Sequence, residues 1–289
     1  MTTSNPVLCG SIAARPGVFG VAMHSAGYRA LGLNYTYVAF GIDDTEAAVA
    51  AMRALGIRGL GVTTPHKLRI GAYLDDLTET ARAIGAVNTV VNDGGRLVGH
   101  NVDWQGAVDA VREGLDPHGR RVAVVGAGGG ARAIVYGLVQ AGAEVVIHNR
   151  DAGRGSDLAA SLGARYGGPP SALADADGYD LIAHATPVGF HAPDDMLVPE
   201  EALRPGAVVF DAVAVPVRTR LLRTAEARGC RTIPGVRMQL HQAVRQFELY
   251  TGRTPPIGIL ERALAKAMDA AGETARASIP SPDTTETRP

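Results

Sequence analysis

A short apolar strand that runs directly into a glycine-rich turn is the feature that most constrains this fold. Residues 122–125 read Val-Ala-Val-Val, and Gly126–Ala131 fit the pattern G-x-G-x-x-A. The stretch 131–141 is apolar at helical spacing and ends at Gly142. A strand, a glycine turn and a helix in this order are typical of the Rossmann-type unit that holds the pyrophosphate of a dinucleotide. The second half of the chain is therefore predicted to bind such a cofactor.

Each small residue of this turn has a physical role in that interpretation. Gly126 permits the tight turn, Gly128 lets the backbone approach the pyrophosphate, and Ala131 allows close packing of helix on strand. The N-terminus of the helix faces the anion. The alternative is a plain glycine-rich turn without a ligand. The predicted cofactor contacts here are Gly126, Ala127, Gly128, Gly129, Gly130 and Ala131.

The end of the next strand, 144–148, indicates which dinucleotide binds. A carboxylate at this place is typical of NAD sites, whereas an arginine accommodates the 2′-phosphate of NADP. The chain continues Asn149-Arg150-Asp151, with Arg154 close behind. We predict NADP, held by Asn149, Arg150 and Arg154. NAD stays possible because Asp151 lies only one residue later.

Strand-like and helix-like segments alternate along most of the chain, which predicts an α/β fold with parallel sheets. Asn92-Asp93-Gly94-Gly95, between two β-rich runs, predicts a hairpin. The pattern restarts after the Gly/Pro-containing segment 114–119, a candidate domain boundary. Helices are expected over 238–250 and 257–271. The residues from 274 onward lack periodicity, so a disordered tail is expected there.

Two segments contain candidate acid–base residues. The sequence Thr63-Thr64-Pro65-His66-Lys67 follows a predicted strand and fits the start of a helix or a turn. In a helix, the lysine would oppose the helix dipole. Lysine is rare here, with only Lys67 and Lys266, and unlike arginine it can release its proton. Asp103 could simply cap the next helix. A Lys67–Asp103 pair could instead exchange the hydroxyl proton of an alcohol that is being oxidised.

Composition and charge exclude several other classes of protein. The formal net charge is −1, so no electrostatic attraction to nucleic acid or an acidic membrane is expected. Cys9 and Cys230 are too few for a disulfide framework or a four-ligand zinc site, and no metal is expected. The sequence shows no signal peptide or long apolar stretch, which predicts a cytoplasmic protein.

Seven motifs, in this order, resemble the shikimate dehydrogenase family over about residues 8–270. They are Thr63–Lys67, Gly85–Thr89, Asn101–Asp103, Gly126–Gly129, Asn149-Arg150, Ala185–Gly189, and Gln242-Ala243 with Phe247-Glu248. The resemblance implies an enzyme of aromatic amino acid biosynthesis with two α/β domains and a cleft between them. It implies NADP-linked oxidation of a ring hydroxyl of shikimate, or reduction of 3-dehydroshikimate in reverse.

The resemblance also implies residue roles and domain limits. The catalytic pair would be Lys67 and Asp103, and the substrate pocket would contain Thr63, Asn88, Asn101 and Gln242. Further cofactor contacts would be Thr186, Val213, Gly235 and Met238. A discontinuous substrate domain would comprise residues 1–104 and 238–273, the dinucleotide-binding domain residues 105–237, and the tail residues 274–289.

The chain departs from the family where the substrate carboxylate would bind. Val18-Phe19-Gly20 stands where the family has Ser-x-Ser, Ala214 replaces a tyrosine, and Arg237 replaces a glycine. The stretches Cys9–Gly20 and Val213–Val217 resemble the shikimate-dehydrogenase-like paralogue group. Ser11 and Arg15 are the predicted replacement donors to a carboxylate.

Several functional alternatives stay open. The expected partner is a small cyclic hydroxy acid, and the protein is expected to be a monomer or a homodimer. A quinate or aminoshikimate dehydrogenase would share the motifs and differ at the pocket rim. A weakly active, ligand-sensing paralogue would explain the missing serines but not the retained Lys67 and Asp103.

Overall fold

The alternation of strands and helices produces two six-stranded sheets. The computed structural model describes residues 5–176, 178–190 and 192–277, with side chains up to residue 272. The first sheet has the strand order β2-β1-β3-β5-β6-β4. Its elements are β1 (Val7–Ala13), α1 (Phe19–Ala30), β2 (Tyr35–Gly41), α2 (Thr45–Ala54), β3 (Gly59–Val62), β4 (Asp76–Leu77), α3 (Glu79–Ile84), β5 (Thr89–Asp93), β6 (Arg96–His100) and α4 (Asp103–Arg112).

The second sheet is entirely parallel, in the order β12-β11-β10-β7-β8-β9. The chain fills it outward from β7 in one direction and then in the other, which is the Rossmann order. Its elements are β7 (Arg121–Val125), α5 (Gly129–Gln140), β8 (Glu144–His148), α6 (Ala152–Leu162), β9 (Arg165–Tyr166), β10 (Leu181–His184), β11 (Val208–Asp211), α7 (Arg220–Ala227) and β12 (Arg231–Pro234).

Apolar side chains on both faces of the second sheet account for its continuous hydrophobic strands. Val122 and Val124 pack with Ile134 on one face. Ala123 and Val125 pack with a second buried cluster on the other. Because parallel sheets are covered on both sides, such strands do not alternate between apolar and polar residues.

The predicted hairpin is confirmed by β5 and β6, which pair antiparallel with Asp93 opposite Arg96. Gly94 and Gly95 form the two-residue loop at φ +60° and +98°. Two consecutive positive φ angles favour glycine and match the twist of the strands.

Two further helices, α8 (Gly235–Thr251) and α9 (Ile257–Ala277), return to the first sheet. Leu240 of α8 and Leu260 of α9 pack with Phe19 and Met23 of α1. The predicted domain limits at 104/105 and 237/238 fall inside α4 and α8, and stay predictions. The backbone of α9 extends beyond the predicted end at 271 and includes residues 274–277, where the tail was expected to begin. The rest of that tail, 278–289, lies outside the described residues.

Contacts between α3, α4 and α5 join the two sheets. The Arg132 guanidinium of α5 donates to the Ile84 carbonyl oxygen at 2.6 Å, at the C-terminal end of α3. A cation is favoured there by the helix dipole. Trp104 meets Tyr136 edge to face at 5.7 Å, beside the buried Ala133. The single tryptophan therefore packs between the halves of the molecule.

His24 lies inside an aromatic cluster between α1, β2 and α8. Its ring stacks on Tyr37 at 4.3 Å and lies parallel to Phe247 at 6.1 Å. Its Nδ1 has no hydrogen-bond partner in the described structure. Burial lowers the pKa of His24 from 6.5 to about 3, and a hydrogen bond with Gln246 opposes this only in part. The folded protein therefore holds a neutral imidazole here at neutral pH.

Replacing His24 with Phe should flatten the acid side of the stability profile. Between about pH 3 and 6.5 the unfolded chain binds a proton at His24 and the folded chain does not. The free energy of unfolding of the unmodified protein must therefore decrease as the pH is lowered from about 6.5 to 3, by up to about 1.4 kcal/mol per pH unit from this group. Urea unfolding at several pH values measures the slope. His118→Gln, at an exposed histidine, is the control. Parallel profiles for His24→Phe and the unmodified protein would contradict the assignment.

Candidate active site

Lys67 and Asp103 form an ion pair although 36 residues separate them in the sequence. Lys67 Nζ lies 2.6 Å from Asp103 Oδ2. The Asp103 side chain is 1% exposed, whereas that of Lys67 is 18% exposed. The Asp103 carboxylate is therefore sealed from solvent, and the Lys67 ammonium group is the solvent-accessible end of the ion pair. A buried carboxylate without such a partner would be strongly destabilising.

Two buried asparagines hold Asp103 in place. Asn88 donates through Nδ2 to Asp103 Oδ1 at 2.8 Å, and its Oδ1 accepts from the Val102 N–H at 2.8 Å. Asn101 accepts from the Asp103 N–H at 3.0 Å and donates to the Ala86 carbonyl at 3.0 Å. Both amides are thus engaged within the protein. Their expected contacts with substrate stay predictions, and the structure adds a positioning role.

The local structure around the pair differs from the sequence expectation. Residues 64–69 form consecutive turns followed by a short 3-10 helix, Ile70–Tyr73, so Lys67 does not lie in the first turn of an α-helix. The dipole argument for Lys67 was therefore wrong. Helix α4 begins without a side-chain cap, and Asp103 is its first residue rather than its cap. Its carboxylate points to Lys67 and Asn88 instead.

The turns that carry Lys67 are anchored by the buried His66. Its Nδ1 lies 2.8 Å from Thr45 Oγ1, and its Nε2 lies 2.9 Å from the Ile42 carbonyl oxygen. The Lys67 carbonyl accepts from the Val87 N–H at 2.9 Å. The lysine therefore projects from a fixed backbone.

The glycine turn of the second sheet directly adjoins Lys67. A methyl group built on Gly129 would lie 3.4 Å from Lys67 Cβ. Gly126 has φ +125°, and a methyl group there would lie 3.0 Å from the Ala185 carbonyl oxygen. Gly128 and Gly130 face open space. The glycine turn and the Lys67–Asp103 pair therefore lie next to each other.

The N-terminus of α5 fits the pyrophosphate of a dinucleotide. Among the described residues, no side chain caps this helix, so its first N–H groups are available to an anion. The three consecutive glycines, Gly128 to Gly130, leave the approach unobstructed, and Ala131 is fully buried beneath them. Ala127 packs at the edge of the hydrophobic cluster that contains Ala131 and Ile134.

The predicted 2′-phosphate contacts follow β8. Arg150 is exposed and pairs with no described residue, so its guanidinium is available to a ligand. Asn149 Nδ2 donates to the Asp151 carbonyl at 2.8 Å. Asp151 caps α6, where its Oδ1 accepts from the Arg154 N–H at 3.1 Å. The Asp151 carboxylate, which left NAD possible in the sequence analysis, therefore has a structural role as a helix cap.

The remaining predicted cofactor residues lie on the opposite side of the glycine turn. Thr186 follows β10, and its Cγ2 would be 3.0 Å from a methyl group on Gly126. Val213 follows β11, and Gly235 lies against the Val213 carbonyl, 2.6 Å from where its Cβ would be. Met238 is buried in the first turns of α8. Their roles stay predictions, at the edge where a dinucleotide crosses a Rossmann sheet.

The predicted substrate residues are spread along the first sheet. Thr63 is exposed after β3 and Ser11 is half-buried in β1, where the Tyr37 hydroxyl interacts with it. Arg15 is exposed and pairs with no described residue. Gln242 is half-buried, and its backbone packs against Gly106 of α4. No contact joins Arg15 to the Lys67–Asp103 pair within the described residues.

Sequence reasoning missed several buried polar residues of the site. Gln246 donates to Thr89 Oγ1 at 3.0 Å and to the Asn88 carbonyl at 3.3 Å, which ties α8 to the residue that holds Asp103. His184 and Asp211 pair at the ends of β10 and β11. The signal that could have revealed the His184–Asp211 pair is that both residues stand at the carboxyl ends of predicted parallel strands.

Comparisons with known proteins show the family to which this chain is related. Two family models match: the shikimate dehydrogenase substrate binding domain over residues 18–90 and the shikimate 5'-dehydrogenase C-terminal domain over residues 235–265. The shikimate dehydrogenase (NADP(+)) of Rubrobacter xylanophilus is 45% identical over 254 residues, which cover 84% of this chain and 89% of that protein.

Solved structures share the fold. A shikimate 5-dehydrogenase-like protein is 37% identical, with a TM-score of 0.80 over 92% of this chain and 99% of that chain. The quinate dehydrogenase of Corynebacterium glutamicum, solved in complex with NAD, is 31% identical, with a TM-score of 0.81 over 91% of this chain and 100% of that chain.

A Rossmann sheet whose glycine turn adjoins a buried Lys–Asp pair defines a nicotinamide-dependent oxidoreductase. The chain belongs to the shikimate dehydrogenase family. The predicted family, the Rossmann-type α/β fold, the enzyme class and NADP as cofactor are confirmed by these relatives. Among the described residues, no helix is long and apolar enough to cross a membrane.

Replacing Arg150 with Ala should weaken NADP binding by about tenfold or more, because a charge-assisted hydrogen bond to a phosphate is among the stronger ones. NAD lacks that phosphate, so its affinity should not change. Calorimetric titration with both cofactors measures the difference. Arg165→Ala, at another exposed arginine of the second sheet, is the control. Equal losses for NADP and NAD would contradict a contact with the 2′-phosphate.

Proposed function

We propose that this protein is an NADP-dependent dehydrogenase that oxidises a ring hydroxyl of shikimate or a related cyclic hydroxy acid. In reverse it would reduce 3-dehydroshikimate or the corresponding ketone. The observation that carries the proposal is the 2.6 Å pair between Lys67 and the sealed Asp103, beside the cofactor turn at Gly129. An acid–base group adjoining a dinucleotide site is what alcohol oxidation requires.

The chain's own residues manage the hydroxyl proton. When bound, the nicotinamide supplies the hydride acceptor or donor. Lys67 Nζ is the accessible end of the pair. During oxidation its neutral amine takes the proton from the substrate oxygen and becomes the ammonium, and during reduction the ammonium returns that proton to the oxygen. Asp103 keeps Nζ in place and compensates its charge. Asn88 fixes the carboxylate that orients the lysine.

The carboxylate of the substrate would bind toward Ser11 and Arg15. Ser11 lies at the register position of Gly61, near the carboxyl end of the first sheet. Arg15 follows β1, and its exposed guanidinium can form a bidentate pair with a carboxylate. These two side chains would replace the donors that Val18-Phe19-Gly20 does not supply. Substrate, direction and the roles of individual residues belong to this proposal.

A quinate dehydrogenase is the second candidate. The absence of both serines at 18–20 favours a pocket rim different from that of shikimate enzymes. The similar enzyme from Corynebacterium glutamicum is named for quinate and was solved with NAD. A ligand-sensing paralogue with little turnover is the third possibility. Initial rates with shikimate, quinate and aminoshikimate, each with NADP⁺ and NAD⁺, distinguish the three candidates.

We also propose a cytoplasmic location. Cys9 and Cys230 are both buried free thiols, which is typical of proteins in a reducing compartment. A monomer or a homodimer is the expected state.

Replacing Lys67 with Met should lower kcat by roughly 100-fold or more, the usual contribution of a positioned acid–base group. NADP affinity should be retained, because the side chain keeps its length beside Gly129. Initial rates and cofactor titration measure the two effects. Lys266→Met is the matched control, since Lys266 is the only other lysine and is exposed on α9. Unchanged turnover in Lys67→Met would overturn the proposed mechanism.

Replacing Arg15 with Ala should raise KM for an acid substrate by about tenfold, as expected for a lost charge-assisted pair, with little effect on kcat. Arg29→Ala, at an exposed arginine near the end of α1, is the control. An unchanged KM would show that the carboxylate binds elsewhere.

A further inference from the structure

A buried polar cluster lies at the carboxyl ends of β10 and β11. His184 and Asp211 are direct register partners on these strands and are 2% and 0% exposed. His184 Nδ1 lies 2.9 Å from Asp211 Oδ1. Thr219, which caps α7, donates to Asp211 Oδ2 at 2.6 Å. The proposed proton transfer by Lys67 uses none of these groups.

The hydrogen bonds of this cluster fix the proton on His184. The Val213 N–H donates to Asp211 Oδ1 at 3.0 Å. Thr219 accepts from the Leu222 N–H, so its hydroxyl hydrogen is free to go to Asp211. The Asp211 carboxylate therefore acts only as an acceptor, and His184 Nδ1 carries the donated hydrogen. In the neutral imidazole, Nε2 is then an acceptor.

The second ring nitrogen of His184, Nε2, faces Thr186. His184 Nε2 lies 2.6 Å from Thr186 Oγ1, so the threonine hydroxyl donates to the histidine. The Val188 N–H donates to the same oxygen at 3.3 Å. One lone pair of Thr186 Oγ1 stays available. Thr186 is half-buried at the site, whereas His184 is sealed beneath it.

Thr186 lies at the half of the cofactor edge opposite Arg150. The strand order reverses at β7, and a dinucleotide crosses the sheet at such a switch point. Arg150 follows β8 on one side, which is the side of the 2′-phosphate. Thr186 and Val213 follow β10 and β11 on the other side, so they face the nicotinamide half.

We propose that His184, backed by Asp211, is a positioning residue that turns the Thr186 hydroxyl into a hydrogen-bond acceptor for the nicotinamide half of the cofactor. The group it would accept from is an N–H or O–H donor, the kind carried by a carboxamide or a ribose. Asp211 fixes the imidazole, the imidazole fixes the Thr186 hydrogen, and the remaining lone pair faces the ligand. This inference rests on the proposed cofactor site.

The test compares two ligands by equilibrium titration. NADPH contains both halves of the cofactor, whereas 2′,5′-ADP contains only the adenosine half with its 2′-phosphate. Thr186→Val should weaken NADPH binding by about tenfold, the equivalent of one hydrogen bond, and leave 2′,5′-ADP binding unchanged. Thr186→Ser keeps the hydroxyl and should restore the affinity for NADPH.

A double-mutant cycle tests whether His184 acts through Thr186. His184→Leu should show the same selective loss of NADPH affinity, and adding Thr186→Val should cause no further loss. Thermal melting checks that the His184 variant is folded. If it is not, the comparison of Thr186→Val with Thr186→Ser still decides whether the hydroxyl contributes.

Three outcomes would overturn the inference. The first is a loss of affinity that is equal for NADPH and 2′,5′-ADP, which would indicate a general structural role. The second is additive losses in the double variant. The third is unchanged NADPH affinity in Thr186→Val. An unmodified protein that binds NADPH but shows no turnover with any acid would contradict the proposed function instead, and leave this inference in place.

Discussion

The buried carboxylate of Asp103 is the constraint on which the rest of the site depends. A negative charge that is almost completely removed from water must be compensated by a partner and by hydrogen bonds. Lys67 supplies the positive charge, and Asn88 occupies the second oxygen. Asn88 is in turn held by Val102 and by Gln246 of α8. The compensation of one charge thus links the turns after β3, strand β5, helix α4 and helix α8.

The same helices place the acid–base pair against the cofactor edge. Helix α4 begins with Asp103 and packs on α5, whose N-terminus is the predicted site of the pyrophosphate. Gly137 of α5 has no room for a side chain, because a methyl group there would lie 2.9 Å from the Trp104 carbonyl oxygen. This close approach of two helices brings Gly129 next to Lys67. The packing of α4 on α5 therefore both stabilises the fold and places Lys67 beside the glycine turn.

Local patterns predicted the parts of the structure that local forces determine. The β7–α5 unit and the β5–β6 hairpin both depend on glycines at fixed positions, so the sequence was sufficient. Lys67 and Asp103 were proposed as a pair from their chemistry, and the family resemblance implied the same pair. Their spacing along the chain does not show that they meet. The sequence left a helix start and a turn both open at residues 64–69, since Thr-Pro pairs favour both structures, and the structure has turns there. His184 and Asp211 are 27 residues apart, and only the register of β10 with β11 makes them neighbours.

Helix α8 has a consequence for how this family can change. It starts at Gly235, against the strand ends of the second sheet, and carries Gln246 to Asn88 in the first. An α-helix advances about 1.5 Å and turns about 100° for each residue. The number of residues in α8 therefore sets both the distance and the rotation between its contact with the second sheet and its contact with the first. Adding or deleting one residue within it would swing Gln246 away from its partners and shift every later side chain around the axis. The number of residues between Gly235 and Gln246 is therefore fixed by the geometry of the helix.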